Sequence, residues 1–120
     1  MSSLLFFYGT LKRGCSNHRL LAGQTCLGPA RTQPGFRLYD LGGYPGIAAC
    51  AGDRIGVAGE VWKIEPATLV ALDEFEGVRH GLYRREVLPL QAPFADVYVE
   101  AYVPASLPPE PREIGEVWVE

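Results

Sequence analysis

Glycine and proline interrupt this chain so often that its pattern favours short strands over long helices. The 120 residues include 14 glycines and 10 prolines, which divide the sequence into short segments. Such punctuation is typical of strands joined by tight turns. Apolar runs, and apolar residues alternating with polar ones, predict six strands at residues 4–8, 36–39, 56–64, 83–90, 97–103 and 114–119.

One main helix is predicted, beginning at Pro66 and ending before Gly77. Proline suits a first helical position because its missing N–H would be unpaired there anyway, and glycine is common just past a helix end. Spacings of three and four place four residues on one face: Leu69, Leu72, Phe75 and Glu76. A short helical turn is predicted at residues 18–22, with Asn17 as its cap. These elements predict an α+β fold with a curled or closed sheet, as one domain over residues 1–120.

The charge pattern argues against several kinds of partner. The formal net charge is -3, and Lys and Arg are scattered along the chain. We therefore expect neither nucleic acid nor a membrane surface as a partner. The first apolar run is too short for a signal-peptide core or a membrane-spanning helix. We expect a cytoplasmic protein that is a monomer or a weak homodimer.

Three cysteines, an odd number without a paired C-x-x-C spacing, predict reduced thiols and no disulfide framework. No metal site is expected, since His18 and His80 lie at no ligand spacing from a cysteine. Cys15 lies close to His18 in the sequence. A nucleophile pair of that kind also needs an orienting third group, which this segment lacks.

The first candidate for ligand binding is the segment Tyr8-Gly9-Thr10-Leu11, where the first predicted strand ends. Consecutive backbone N–H groups in a turn form a concavity that binds carboxylates and oxyanions. Gly9 allows close approach to the backbone, and Thr10 adds a hydroxyl group. An ordinary exit from a strand into a loop is the alternative interpretation. A phosphate-binding loop is excluded because the Gly-x-x-x-x-Gly-Lys-Ser/Thr spacing is absent.

The second candidate is Glu76, the last residue on the apolar face of the helix. A carboxylate there lies either at the rim of the core or in a pocket. Negative charge near a helix C-terminus is also unfavourable by roughly 0.3–1 kcal/mol, which hints at a functional reason for it. A surface acid in the last turn is the alternative. The neighbouring Asp73 and Glu74 lie on other faces, where we expect them to be solvated.

Two further segments are candidates for the walls of a pocket. Tyr83 begins the strand after the helix, and Tyr44-Pro45 follows a pair of glycines as a turn. A tyrosine in a strand more often packs in a core than lines a site. Arg84 and Arg85 point to opposite faces of the strand, so at least one of them should be solvated.

Taken in order along the chain, these segments resemble the γ-glutamylcyclotransferase-like family, especially its γ-glutamylaminecyclotransferase branch. The resembling segments are residues 8–14 (YGTLKRG), 17–19 (NHR), 44–45 (YP), 59–62 (GEVW), 72–77 (LDEFEG) and 83–85 (YRR). The resemblance implies a compact mixed β-barrel flanked by a few helices, with a cavity at its mouth. It implies that Glu76 is the catalytic carboxylate. The substrate-binding residues that it implies are Tyr8, Gly9, Thr10, Leu11, Tyr44, Pro45 and Tyr83.

The activity implied by the resemblance is an intramolecular cyclisation. The α-amine of a γ-glutamyl-amine or γ-glutamyl-amino acid attacks its own γ-carbonyl, which yields 5-oxoproline and a free amine. Glu76 acts as general acid and base, and no cofactor is implied because both reacting groups share one molecule. A non-catalytic binding module for a small γ-glutamyl or amino-acid-like ligand is one alternative. A cyclotransferase for a γ-glutamyl-protected antibiotic intermediate is another. Gly46 and a shorter C-terminal tail depart from the aminecyclotransferase branch.

Overall fold

The computed structural model describes residues 2–120, which form eight strands, one α-helix and two 3-10 helices. The strands are β1 Ser3–Phe7, β2 Thr25–Arg31, β3 Phe36–Asp40, β4 Pro45–Ala49, β5 Ala58–Ile64, β6 Tyr83–Val87, β7 Glu100–Pro104 and β8 Arg112–Gly115. Helix α1 spans Pro66–Phe75, and the 3-10 helices span His18–Leu21 and Val78–His80. All the helices within residues 2–120 fall short of the length and apolar character needed to span a membrane.

Two strands were not predicted because they contain residues that usually end strands. β2 includes Gly28 and Pro29, and its register against β5 shifts between Cys26 and Gly28. Proline is tolerated here because β2 is an edge strand. β4 begins at Pro45, so the turn predicted at Tyr44-Pro45 is the entry to a strand that pairs with β3. The last two predicted strands are also shifted, to begin at Glu100 in β7 and at Arg112 in β8.

The eight strands of residues 2–120 form two sheets, with strand orders β2-β5-β1-β7-β6 and β4-β3-β8. β1 lies at the centre of the larger sheet, antiparallel to β5 and parallel to β7. The outer strands β2 and β6 do not pair along their lengths. A single bridge between Thr32 and Leu90 joins the segments that follow them. The α+β class with one main helix is therefore confirmed, whereas the closed barrel is not.

β1 is buried on both faces, as its continuous apolar sequence predicts. On one face, Phe6 and Tyr8 belong to a core cluster that includes residues of β3 and β4. On the other face, Leu5 and Phe7 belong to a second cluster that includes Leu72 of α1. The C-terminal end of β1 therefore lies between the smaller sheet and the helix.

Close packing of β5 against β1 depends on Gly59. A Cβ atom added there would lie 2.4 Å from the carbonyl oxygen of Phe7 and 2.7 Å from Cζ of Phe6. Gly59→Ala should lower the free energy of unfolding by roughly 1–3 kcal/mol, as overpacking does, when measured by urea unfolding. Gly52→Ala is the matched control, because nothing lies within 4 Å of its added Cβ. Equal stabilities of the two variants would contradict this account of the packing.

Candidate active site

A cavity of about 280 Å³ opens beside the C-terminal end of β1. All eight site residues named from the sequence line it: Tyr8, Gly9, Thr10, Leu11, Tyr44, Pro45, Glu76 and Tyr83. Six further lining residues have no predicted role in the site: Phe6, Phe7, Asn17, Phe75, Leu82 and Tyr102. The fold thus brings distant segments together around one space. The individual roles of the lining residues stay predictions.

The turn that follows β1 leaves backbone N–H groups unpaired at the cavity. The amide of Lys12 donates a hydrogen bond to the carbonyl oxygen of Gly9 at 3.2 Å, which closes the turn. Among the turn and loop hydrogen bonds of residues 2–120, none uses the amide of Gly9, Thr10 or Leu11 as a donor. Three consecutive N–H groups in a turn are the arrangement that binds carboxylates and oxyanions.

Asn17 stabilises this turn through two hydrogen bonds to Thr10. Its backbone amide donates to the carbonyl oxygen of Thr10 at 2.9 Å, and its Nδ2 donates to Thr10 Oγ1 at 3.0 Å. Because Oγ1 accepts this bond, the hydroxyl proton of Thr10 is left to donate to a ligand. Asn17 is the residue that precedes the 3-10 helix, as predicted, but its side chain makes no capping hydrogen bond.

Pro45 and Tyr83 form the wall of the cavity next to the turn. A Cβ atom added at Gly9 would lie 2.8 Å from Cγ of Pro45, so the glycine is needed where these two segments meet. The hydroxyl of Tyr83 donates to the carbonyl oxygen of Pro45 at 3.3 Å. Burial, and then the nearby Glu76, raise the pKa of Tyr83. Its phenol therefore stays neutral over the physiological pH range.

Glu76 lies at the C-terminal end of α1, where its amide donates to the carbonyl oxygen of Leu72 at 2.9 Å. Gly77 follows in the left-handed conformation, with φ of 69°, and so ends the helix. The Glu76 side chain is half-buried, in line with its place on the apolar face. Burial raises the pKa of Glu76 to about 7, and no positive charge within residues 2–120 offsets it. Near neutral pH this carboxyl can therefore both accept and donate a proton.

Tyr8 and Tyr102 fix the floor of the cavity. The hydroxyl of Tyr8 donates to the carbonyl oxygen of Tyr102 at 2.7 Å. Burial raises the pKa of the Tyr8 phenol, and the neighbouring Tyr83 raises it further. The floor is therefore a neutral, hydrogen-bonded surface next to the single carboxyl group.

The expectation that Asp73 is solvated is wrong. The hydroxyl of Tyr102 donates to Asp73 Oδ1 at 2.7 Å, and Arg85 Nε lies 3.0 Å from the same oxygen. Arg85 also contacts Glu100, at 3.0 Å. Side chains of β6 and β7 therefore reach the helix position that was assigned to solvent. Arg84 is exposed, in agreement with the prediction that one of the two arginines is solvated.

Residues 2–120 hold no group of three or more His, Cys, Asp or Glu side chains placed to bind a metal ion. The three cysteines are free and half-buried, and none of them lines the cavity. His18 Nδ1 lies 3.0 Å from the carbonyl oxygen of Leu11. This histidine therefore supports the turn after β1.

Fold and cavity together define a small α+β protein in which one carboxyl group shares a cavity with a turn of unpaired backbone amides. The family model described as gamma-glutamyl cyclotransferase, AIG2-like, matches residues 5–119. The chain belongs to this γ-glutamyl cyclotransferase family.

Individual relatives agree with this assignment. A Vibrio cholerae protein that is named as a gamma-glutamylcyclotransferase is 39% identical over 102 residues, covering 85% of this chain and 84% of that protein. The gamma-glutamylaminecyclotransferase of Rattus norvegicus is 35% identical over 91 residues, covering 70% of this chain and 60% of that protein. The crystal structure of an AIG2-like protein from Mus musculus has a TM-score of 0.79 at 29% identity, covering 91% of this chain and 81% of that one. Family membership supports a cyclotransferase function for this chain.

The raised pKa of Glu76 predicts a specific dependence of stability on pH. Its ordinary value is 4.5 and its value in the folded chain is about 7, so ionising the buried carboxyl destabilises the fold. This penalty begins as the pH rises past the lower value and is complete above the upper one, at roughly 3 kcal/mol. Glu76→Gln removes the penalty. Urea unfolding should therefore show the variant close to the parent chain at pH 4 and more stable by roughly 2–3 kcal/mol at pH 8.

The matched control for this measurement is Glu74→Gln, two residues earlier on the exposed side of α1. Its stability should follow that of the parent chain across the whole pH range. If the free energy of unfolding changes with pH in the same way for Glu76→Gln and for the parent chain, the carboxyl of Glu76 is not buried without a charged partner.

Proposed function

We propose that this chain converts a γ-glutamyl-amine or a γ-glutamyl-amino acid to 5-oxoproline and a free amine. The observation that carries the proposal is the carboxyl of Glu76, whose pKa burial raises to about 7, in one cavity with the turn at Gly9, Thr10 and Leu11. Membership of the γ-glutamyl cyclotransferase family supports the same class of reaction.

The amides of Gly9, Thr10 and Leu11 bind the polar groups of the γ-glutamyl moiety in this proposal. One of them stabilises the negative charge that develops on the γ-carbonyl oxygen, as preorganised N–H donors do in other acyl transfers. Tyr8 and Tyr83 form neutral walls beside the bound group. Holding the substrate folded, with its α-nitrogen against the γ-carbon, supplies several kcal/mol of the catalysis.

In this proposal Glu76 alone carries protons from the α-nitrogen of the substrate to the nitrogen of the leaving amine. The ionised carboxylate takes a proton from the α-ammonium group, which frees the nitrogen lone pair. That nitrogen attacks the γ-carbonyl carbon and forms the new C–N bond of the five-membered ring. The bond to the leaving amine then breaks as Glu76 returns that proton to the departing nitrogen. The ring nitrogen still carries one proton too many, which it gives to the regenerated Glu76 carboxylate. The released amine takes up this second proton, so the products are 5-oxoproline and an ammonium ion.

The pKa of Glu76 decides whether this shuttle is feasible. An ordinary glutamate, with a pKa of 4.5, differs from an α-amine near 8 by about 3.5 units, or roughly 5 kcal/mol. With the pKa of Glu76 raised to about 7, the gap falls to about one unit, or roughly 1.4 kcal/mol. A bound ammonium group lowers the pKa again, so the elevated value in the free chain partly compensates for substrate binding.

Removing the shuttle tests the assignment directly. Glu76→Gln keeps the shape of the side chain but cannot accept the ammonium proton, so kcat for 5-oxoproline release should fall by roughly 10²–10⁴-fold. Chromatographic detection of 5-oxoproline measures this, with Glu74→Gln as the control that should keep the activity of the parent chain. Undiminished turnover in Glu76→Gln would end the catalytic assignment.

The pH dependence of catalysis gives a separate prediction. Because the free chain must present an ionised carboxyl, kcat/KM should rise with pH through an inflection near 7, the pKa of Glu76. Initial rates at low substrate concentration between pH 4.5 and 9 measure the profile. An inflection near the ordinary glutamate value of 4.5 would show that the reacting group is not this buried carboxyl.

A further inference from the structure

We propose that the preferred leaving amine of this chain carries an apolar substituent and no carboxylate. The inference rests on the proposed cyclotransferase function and concerns the outer part of the same cavity. It favours γ-glutamyl-amines over γ-glutamyl-amino acids as substrates, and it assigns a role in substrate specificity to Tyr44, Phe75 and Leu82.

The basis is an apolar rim at the mouth of the cavity, formed by Tyr44, Phe75 and Leu82. These side chains line the cavity and yet are 46%, 45% and 63% exposed. They come from three segments: the turn before β4, the end of α1 and the loop before β6. A cluster of large apolar side chains that are exposed to solvent beside one cavity is typical of a ligand-binding surface. Covering them with an apolar group removes their surface from water, which favours binding.

Leu82 is held in the rim by backbone contacts. The amide of Leu82 donates to the carbonyl oxygen of Gly77 at 3.1 Å, and its carbonyl oxygen accepts from the amide of Ala105 at 3.0 Å. A Cβ atom added at Gly77 would lie 2.7 Å from Cδ1 of Leu82, so the leucine packs directly on that glycine. A surface that is already ordered binds an apolar group without the entropic cost of ordering a loop.

The charges around the cavity disfavour a leaving group that carries a carboxylate. In a γ-glutamyl-amino acid that carboxylate would enter a space whose one charged lining side chain, among the residues described, is the acidic Glu76. Arg84 and Arg85 are engaged in ion pairs with acidic residues, and Arg79 does not line the cavity. A second carboxylate therefore meets repulsion from Glu76 and no cationic side chain among the lining residues, and such like-charge placement discriminates strongly between ligands.

The size of the cavity fits a γ-glutamyl group inside it and the substituent of the leaving amine at its rim. Its volume of about 280 Å³ is at the lower end of ligand pockets, which span roughly 300–1,000 Å³. The polar end at Gly9, Thr10 and Leu11 accommodates the γ-glutamyl group. The substituent of the leaving amine then emerges between Phe75 and Leu82.

Three substrates separate the effects of charge and apolar contact. γ-Glutamyl-phenethylamide and γ-glutamyl-phenylalanine differ only in one carboxylate, and γ-glutamyl-ethylamide lacks the aromatic ring. Release of 5-oxoproline at low substrate concentration gives kcat/KM for each. The phenethylamide should exceed γ-glutamyl-phenylalanine by about tenfold or more because of charge. It should exceed the ethylamide by about tenfold because of contact with the rim.

A positive charge placed on the rim should change the relative kcat/KM values of these substrates. Leu82→Lys supplies a cation at the mouth of the cavity, so it should raise kcat/KM for γ-glutamyl-phenylalanine relative to the phenethylamide by about tenfold. Val70→Lys is the control. Val70 is also 63% exposed, but it lies on α1 away from the lining, so its substitution should leave the ratio unchanged.

The outcomes separate this inference from the proposed function. If kcat/KM for γ-glutamyl-phenylalanine equals kcat/KM for the phenethylamide, the inference fails while the cyclotransferase function stands. The same holds if Val70→Lys shifts the ratio as much as Leu82→Lys does. If none of the three substrates yields 5-oxoproline, the proposed function fails and this inference fails with it.

Discussion

The chemistry of the cavity depends on one constraint, an acidic side chain that the fold removes from water without giving it a charged partner. Leu72 anchors the apolar face of α1 in the core, and Glu76 follows it by one helical turn. The left-handed Gly77 ends the helix at that point, so the carboxyl stays beside the end of β1. Burial then raises the pKa of Glu76 to about 7. The fold gives up stability at neutral pH to hold the carboxyl in this state.

The charged side chains behind the cavity are hydrogen-bonded and paired with one another. Asp73 accepts the hydroxyl of Tyr102 and pairs with Arg85, which also contacts Glu100. Tyr102 lines the cavity, whereas its partner Asp73 and the paired Arg85 do not. Glu76 is the single lining side chain of the described residues with a pKa near 7, which is why the proposed proton shuttle depends on it.

Local patterns predicted much of the site, whereas contacts between distant segments could not be predicted. The spacing along α1 placed Glu76 on the buried face, and the apolar run before Gly9 placed the turn at the end of a buried strand. The same helical pattern assigned Asp73 to solvent, because nothing in it shows that the side chains of Tyr102 and Arg85 reach this carboxylate. β4 was missed because Pro45 looks like a turn residue, although it begins a strand. Two open sheets instead of a closed barrel likewise follow from pairings that no local pattern encodes.

The most direct test of this account is the titration of Glu76 itself in the absence of substrate. Nuclear magnetic resonance of chain labelled with ¹³C at the glutamate side-chain carboxyl, with the Glu76 signal assigned by its loss in Glu76→Gln, follows this one group. The account predicts a midpoint near pH 7. A midpoint near the ordinary value of 4.5 would mean that the carboxyl is fully hydrated, and the proposed proton shuttle would have no physical basis.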